Sequence, residues 1–321
     1  MNVLITGISG LLGSEVAKEA NKSGHNVIGL CRNKSKLKFN FPIRIEELDL
    51  TKSPIRKDLL QNVDIVIHCA ANTSMKDFDN HLQDKTNIES TGSLIEMGVD
   101  ANIKRFILIS SANTLVPGDV NNPGSEARKM ETSASNLNYI NSKINAEILL
   151  VDAVRKKGLN GIIINPTFIL NPFANNQSSN QLLEYGLKKS ILFYPKGGKN
   201  IVDVRDVSRA ILKAINKGNP GENYILSNQN FTYKEFYKLV LSAQNRKAMM
   251  IPIPSWLMQT LGGFSTATGR LLWIPFNLNS KTSKLLNSNH YYERSKATKH
   301  LDYNPRPITD TIKCKLEHIS S

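Results

Sequence analysis

Met1-Asn-Val-Leu-Ile5-Thr-Gly7-Ile-Ser9-Gly10-Leu11-Leu12-Gly13 stands at the N-terminal end of this 321-residue chain, and the order of residue types in it decides the fold. Val3-Leu4-Ile5 is a short apolar run, the pattern of a strand buried on both faces of a parallel sheet. Gly7, Gly10 and Gly13 follow at intervals of three residues. Ser14 to Asn21 then reads as a helix that Gly24 ends. Strand, glycine turn and helix start in this order leave free backbone N–H groups at a helix N-terminus, where a pyrophosphate is held. Gly7 permits the turn, Gly10 lets the backbone approach phosphate, and Gly13 lets helix and strand pack closely. The stretch predicts a bound dinucleotide touched by Gly7, Ser9, Gly10, Leu11, Leu12 and Gly13.

More apolar runs follow at the spacing of a βα alternation. They are Asn26–Cys31, Ile43–Leu48, Asp64–Ala71, Arg105–Ser111 and Asn160–Pro166. The expected fold is α/β, a doubly wound parallel Rossmann sheet with a smaller, mainly C-terminal substrate lobe. Residues 1–166 form the dinucleotide-binding domain, with 200–227 returning to it; 167–199 and 228–321 form the lobe.

Tyr-x-x-x-Lys occurs three times, as Tyr139/Lys143, Tyr185/Lys189 and Tyr292/Lys296. Only the first follows a cofactor-sheet strand and leads into a long helical pattern, Ile140 to Lys156, on which Tyr139 and Lys143 share a face. The other two read as surface coincidences. Hydride addition to a carbonyl leaves an alkoxide that must be protonated, and the reverse reaction needs a base. A free Tyr titrates near pH ~10, so a neighbouring ammonium, Lys143, is expected to lower it. Ser111 would donate to the substrate oxygen and hold it near Tyr139.

Thr6-Gly7-x-x-Gly10-x-x-Gly13 together with Ser111, Tyr139 and Lys143 resembles the extended short-chain dehydrogenase/reductase superfamily, with its NAD-dependent epimerase/dehydratase and dihydroflavonol-reductase-like members. The resemblance implies that Ser111, not Ser110, is the catalytic hydroxyl and that Lys143 bonds the ribose hydroxyls. It also implies that Asp49 and Leu50 contact adenine and that the run ending in His68-Cys69-Ala70-Ala71 passes over the cofactor, His68 being structural. Asn87 resembles the start of the family's Asn-Val-x-Gly-Thr helix, with Ser90 in the Gly place. Pro166 and Phe168 correspond to the segment against the nicotinamide, and Asn165 stands where the family has Arg. Asn113, Phe168 and Phe173 are the substrate candidates. In the second half, Asp206 resembles the aspartate of Val-x-Val-x-Asp-Val-Ala and is expected to cap the following helix. Thr232-Tyr-Lys-Glu235 looks like a capping box. A homodimer through the Tyr/Lys-bearing helices is a family implication.

No Asp or Glu occurs between Glu19 and Glu46, where an acid would bind the ribose of NAD. Arg32 stands at the second strand's end instead and, with Lys36, suits the 2′-phosphate of NADP. NADP is therefore favoured over NAD. Net charge is +14, yet the basic residues are scattered without an arginine-rich arm, so no nucleic-acid partner is expected. Three widely spaced cysteines form no metal pattern, and a reducing, cytoplasmic setting is expected. Met249 to Leu278 is apolar but broken by Pro and Gly, so one or two lobe helices are expected, Trp256 and Trp273 packing there, rather than a span or a membrane-contacting surface.

The resemblance implies that a dehydratase of this superfamily carries an acidic pair after Ser111, where this chain has Ala112-Asn113. Three functions stay open for a small-molecule substrate. They are an NAD(P)-dependent carbonyl reductase or alcohol dehydrogenase, a nucleotide-sugar epimerase with retained NAD, and a non-catalytic NADP sensor or nucleic-acid-binding relative. Retention of Ser111, Tyr139 and Lys143 speaks against the last.

Overall fold

Val3 and Ile5 of the first strand enter one apolar core and Leu4 enters another, so both faces of the sheet are closed. The computed structural model describes residues 1–37, 39–52, 55–74, 80–131, 135–174, 180–258 and 280–320. In chain order the elements are β1 (Asn2–Thr6), α1 (Leu11–Lys22), β2 (Asn26–Cys31), β3 (Arg44–Glu47), β4 (Ile65–His68), α2 (Asn80–Asp84), a π turn over Lys85–Glu89 and α3 (Ser90–Asp100). Next come β5 (Arg105–Ile109), α4 (Asn138–Lys157), β6 (Gly161–Pro166), β7 (Phe168–Leu170), α5 (Gln181–Lys188), β8 (Ile191–Tyr194), β9 (Gly198–Asp203) and α6 (Val204–Lys213). The remainder is β10 (Asn223–Leu226), β11 (Gln229–Thr232), α7 (Tyr233–Ala243), β12 (Met249–Pro252), a helix Ser280–Asn287, β13 (Asn289–His290) and helices Ser295–Leu301 and Ile308–Ser320.

Seven parallel strands form the large sheet in the order β10-β6-β5-β4-β1-β2-β3. The strand order reverses between β1 and β4, the place where α/β sheets bind ligands. Side chains alternate across it, as in β5: Ile107 and Ile109 join Val16, Ala17 and Val207 of α1 and α6, while Phe106 and Leu108 join Leu94, Ala146 and Leu150 of α3 and α4. Gly24 and Gly158, after α1 and α4, have φ of +74° and +71°, a helix-ending conformation that glycine adopts without strain.

The segment 200–227 divides between two sheets. β10 edges the large sheet and α6 packs on α1, whereas β9 pairs with β7, β11 and β13 in a small mixed sheet. A separate apolar core underlies the lobe, with Leu182, Leu183, Tyr185, Tyr233, Phe236 and Tyr237.

Several expectations are corrected. The cap of α6 is Asp203, extended at ψ 135° and accepting from Arg205 N at 2.8 Å; Asp206 sits inside the first turn. There it accepts from Arg306 N at 3.0 Å and is ion-paired with Arg209 and Arg306, tying the C-terminal segment to α6. Tyr185 and Tyr292 are buried, not on the surface. Tyr185 Oη accepts from Phe193 N at 2.9 Å, and Tyr292 packs with Ala112, Leu115 and Ile225. Trp256 is 67% exposed rather than packed. Most of the apolar stretch after it, residues 259–279 with Trp273, lies outside the described residues. Thr232 and Glu235 form the expected capping box.

Candidate active site

Gly7 has φ +70°, and a Cβ on it would lie 2.8 Å from the Ala70 backbone. A Cβ on Gly13 would lie 2.3 Å from the Gly7 carbonyl oxygen, so α1 can approach β1 this closely only without a side chain. Gly10 N donates to Gly7 O at 2.9 Å and closes the turn. Gly10 caps α1 without a side-chain bond, and the first turn holds no acid. The N–H groups at Leu11 and Leu12 therefore face an edge with no competing anion from the helix, with Ser9 and Gly10 exposed beside them. Such a cradle fits a dinucleotide pyrophosphate.

The loop after β4 bridges this turn to α4, which carries Tyr139 and Lys143. Thr6 Oγ1 accepts from Ala70 N at 3.0 Å and bonds His68 Nδ1 at 2.8 Å; His68 Nε2 bonds Thr91 Oγ1 at 2.9 Å. Burial, then the charge of Lys143, holds His68 down to about 3, so it is a neutral strut. Asn87, on the π turn, accepts from Asn72 N at 2.8 Å and donates to Asn72 O at 3.0 Å and Ser142 Oγ at 2.9 Å. Its amide is spent on fixing the loop that carries the half-buried Ala70 and Ala71 to α4.

Ser111 lies two residues beyond β5 and caps a short turn, its Oγ accepting from Asn113 N at 3.2 Å. That bond leaves the hydroxyl proton uncommitted, and Ser111 acts on the Tyr139 phenol against the effect of burial. Tyr139 and Lys143 are buried together on α4. Lys143 Nζ donates to Ile109 O at 2.7 Å; burial pushes it down to about 8, against the pull of Glu147 and the Cys69 thiol. The Tyr139 phenol is pushed up by burial, with Ser111 opposing. That differs from the expected lowering by Lys143, because removing the phenol from water outweighs its polar neighbours.

At the other end of the turn, Arg32 is exposed and Asp49 lies near it. Burial raises the Asp49 carboxyl, but bonds from Thr51 and the Arg32 charge outweigh it and the net direction is down. Leu50 is buried beside them. The Lys36 side chain lies outside the described residues. Glu47, with no role expected from its sequence position, accepts from Lys34 N at 2.9 Å and so brings an acid from β3 to this corner.

Pro166 is buried at the end of β6, and Phe168 and Asn113 are half-buried. Lys199 Nζ lies 4.8 Å from the centre of the Phe168 ring, and burial holds it down to about 8. Phe173 is not brought to this cluster. It is held between Lys18 (5.2 Å), Arg205 (5.5 Å) and His318 (5.8 Å), on the side of α1 and α6.

Two further groups escaped the sequence reading. Glu147, buried on the Tyr139/Lys143 face, accepts from Thr114 Oγ1 and from Asn165 Nδ2, both at 2.8 Å. Thr6 ties Gly7's strand to Ala70. The repeat 139, 143, 147 on one helix face was a signal for Glu147; Thr6 opens the glycine motif, but the motif assigns its side chain no partner.

The sequence model of the NAD dependent epimerase/dehydratase family matches residues 3–227. Among curated proteins, sterol demethylase protein B of Methylococcus capsulatus is 25% identical over 81% of this chain and 79% of that protein. A putative dihydroflavonol 4-reductase of Synechocystis is 24% identical over 92% and 88%. The fold is shared with the Bacillus cereus UDP-glucuronic acid 4-epimerase, solved with UDP-glucuronic acid and NAD, at TM-score 0.78 and 17% identity over 100% and 99% of the chains. Among the described residues no helix is long and apolar enough to cross a membrane.

Proposed function

The chain belongs to the NAD dependent epimerase/dehydratase family, within the extended short-chain dehydrogenase/reductases, and is an enzyme of that NAD-dependent class; from that premise we propose an NADP-dependent reductase or dehydrogenase working between a carbonyl and its alcohol. Gly7, Ser9, Gly10, Leu11, Leu12 and Gly13 would hold the pyrophosphate, Asp49 and Leu50 the adenine, and Arg32 the 2′-phosphate. When bound, the dinucleotide supplies or takes up the hydride. Tyr139 gives a proton to the substrate oxygen or takes one from it. Ser111 donates to the same oxygen and sets its distance from Tyr139. Lys143 bonds the ribose and keeps a positive charge beside the phenol.

One observation carries this reading: Ser111 stands close enough to Tyr139 to act on its phenol, Tyr139 shares a buried helix face with Lys143, and the loop whose Cys69 faces Lys143 approaches Gly7 through Ala70. The relatives that are reductases by name support the direction. In a screen of aldehydes and ketones with NADPH, Tyr139→Phe should cut turnover by about 10²–10⁴-fold and leave NADPH binding unchanged. Undiminished turnover would refute the role of Tyr139.

A second reading, a nucleotide-sugar epimerase with retained NAD, is favoured by Lys199. Its cation over Phe168 has no carboxylate in ion-pair reach among the described residues, which suits a diphosphate. Co-purified NAD(H) would favour it.

A further inference from the structure

Glu147 lies one helical turn beyond Lys143 and two beyond Tyr139 on α4, and it is buried as they are. A buried carboxylate needs hydrogen bonds and a counter-charge. The bonds come from Thr114 and Asn165, and the same two side chains reach the carbonyl of Ser111. Thr114 Oγ1 lies 2.8 Å from Ser111 O and Asn165 Nδ2 lies 3.0 Å from it. Asn165 has two amide protons, one for each acceptor, and also reaches Thr114 Oγ1 at 3.0 Å. Thr114 has one hydroxyl proton, which lies between the Glu147 carboxyl and the Ser111 carbonyl.

An arginine at position 165 would neutralise Glu147; asparagine does not. The charged groups facing Glu147 are Lys143 on its own helix and Lys129 from the loop after β5, and its neutral hydrogen-bond partners are Thr114 and Asn165. Lys143 in turn faces Glu147, Cys69 and His68. We propose that Glu147 is a positioning residue for the Ser111–Tyr139–Lys143 set: it holds the Ser111 turn through Thr114 and Asn165, and it is the counter-charge that keeps Lys143 an ammonium. The proposal rests on the assignment of those three residues to proton transfer.

Glu147→Gln keeps an oxygen acceptor for Thr114 and Asn165 and removes only the charge. In the full chain labelled with carbon-13 at lysine Cε, the Lys143 resonance is identified by its loss in Lys143→Arg. Its titration midpoint, about 8 in the structure, should fall by about one pH unit in Glu147→Gln, a tenfold loss of proton affinity. A purely structural Glu147 predicts an unmoved midpoint, which would overturn the proposal. Should the variant fail to fold, carbon-13 at glutamate Cδ in the unaltered chain decides: an ionised Glu147 near neutral pH is expected, and a protonated one overturns the proposal. Turnover lost in Tyr139→Phe with an unmoved Lys143 midpoint sinks this inference alone. Turnover that survives Tyr139→Phe sinks the assignment beneath it.

Discussion

The Gly7–Gly13 turn and the face of α4 that carries Tyr139, Lys143 and Glu147 both present polar chemistry at the end of an apolar sheet, by different means. At the turn the working groups are backbone N–H donors, and side chains are absent because a Cβ on Gly13 would sit 2.3 Å from Gly7 O. Backbone donors do not titrate, so this half of the site is indifferent to pH. On α4 the working groups are side chains taken out of water. Each is shifted by burial: Tyr139 up, Lys143 down, Glu147 up. A steric site is therefore joined to an electrostatic one, with Thr6, His68 and Asn87 as the neutral joinery between them.

The largest effect that would test this contrast is at the turn. Gly13→Val should abolish dinucleotide binding and cost about 3 kcal/mol of stability by overpacking backbone against backbone. Thermal melting with a fluorescence titration checks both, and a normally melting variant that binds NADPH would contradict the steric account. Gly10, whose Cβ would meet Gly7 O only at 3.2 Å, should tolerate Ala better.

Next comes acid stability, which belongs to the side-chain half. His68 is held down to about 3 against 6.5 for a free histidine. A depressed histidine disfavours folding once it must be charged, so its contribution is full above pH ~6.5 and is lost as pH falls toward ~3, with a total of roughly 5 kcal/mol. Denaturant titrations across that window should show a steep loss that His68→Gln flattens. An equal slope in the variant would assign the acid sensitivity elsewhere.

Much of the architecture was legible because it follows from pattern alone. Asn26–Cys31 is β2 as read, and the helix expected over Ile140–Lys156 is Asn138–Lys157. The resemblance to the extended short-chain enzymes agrees with the family match. What escaped has local physical causes. A Tyr-x-x-x-Lys spacing says that two side chains share a helix face, not which way the face points, so it does not reveal that Tyr185 and Tyr292 are buried. Asp206 is the expected cap by its place in the family motif, but Asp203, three residues earlier, has the extended backbone that a cap needs. Phe173 lies three residues beyond the end of β7, and its ring turns to the cations Lys18 and Arg205, a long-range contact that no local pattern encodes. Glu147 repeats the spacing of Tyr139 and Lys143, but a carboxylate at that spacing is ordinarily a solvated one, and only the fold shows it buried.

The smallest expected effect decides cofactor choice: Arg32→Ala should weaken NADPH by about 10–100-fold, a charge-assisted bond's worth, and leave NADH nearly unchanged. The most direct measurement is the titration behind it, NADPH and NADH fluorescence on the purified chain, with a check for cofactor that co-purifies. Exchangeable NADPH, bound more tightly than NADH, is the predicted result. Binding of neither nucleotide would contradict the central claim that the Gly7–Gly13 turn holds a nicotinamide dinucleotide beside Tyr139.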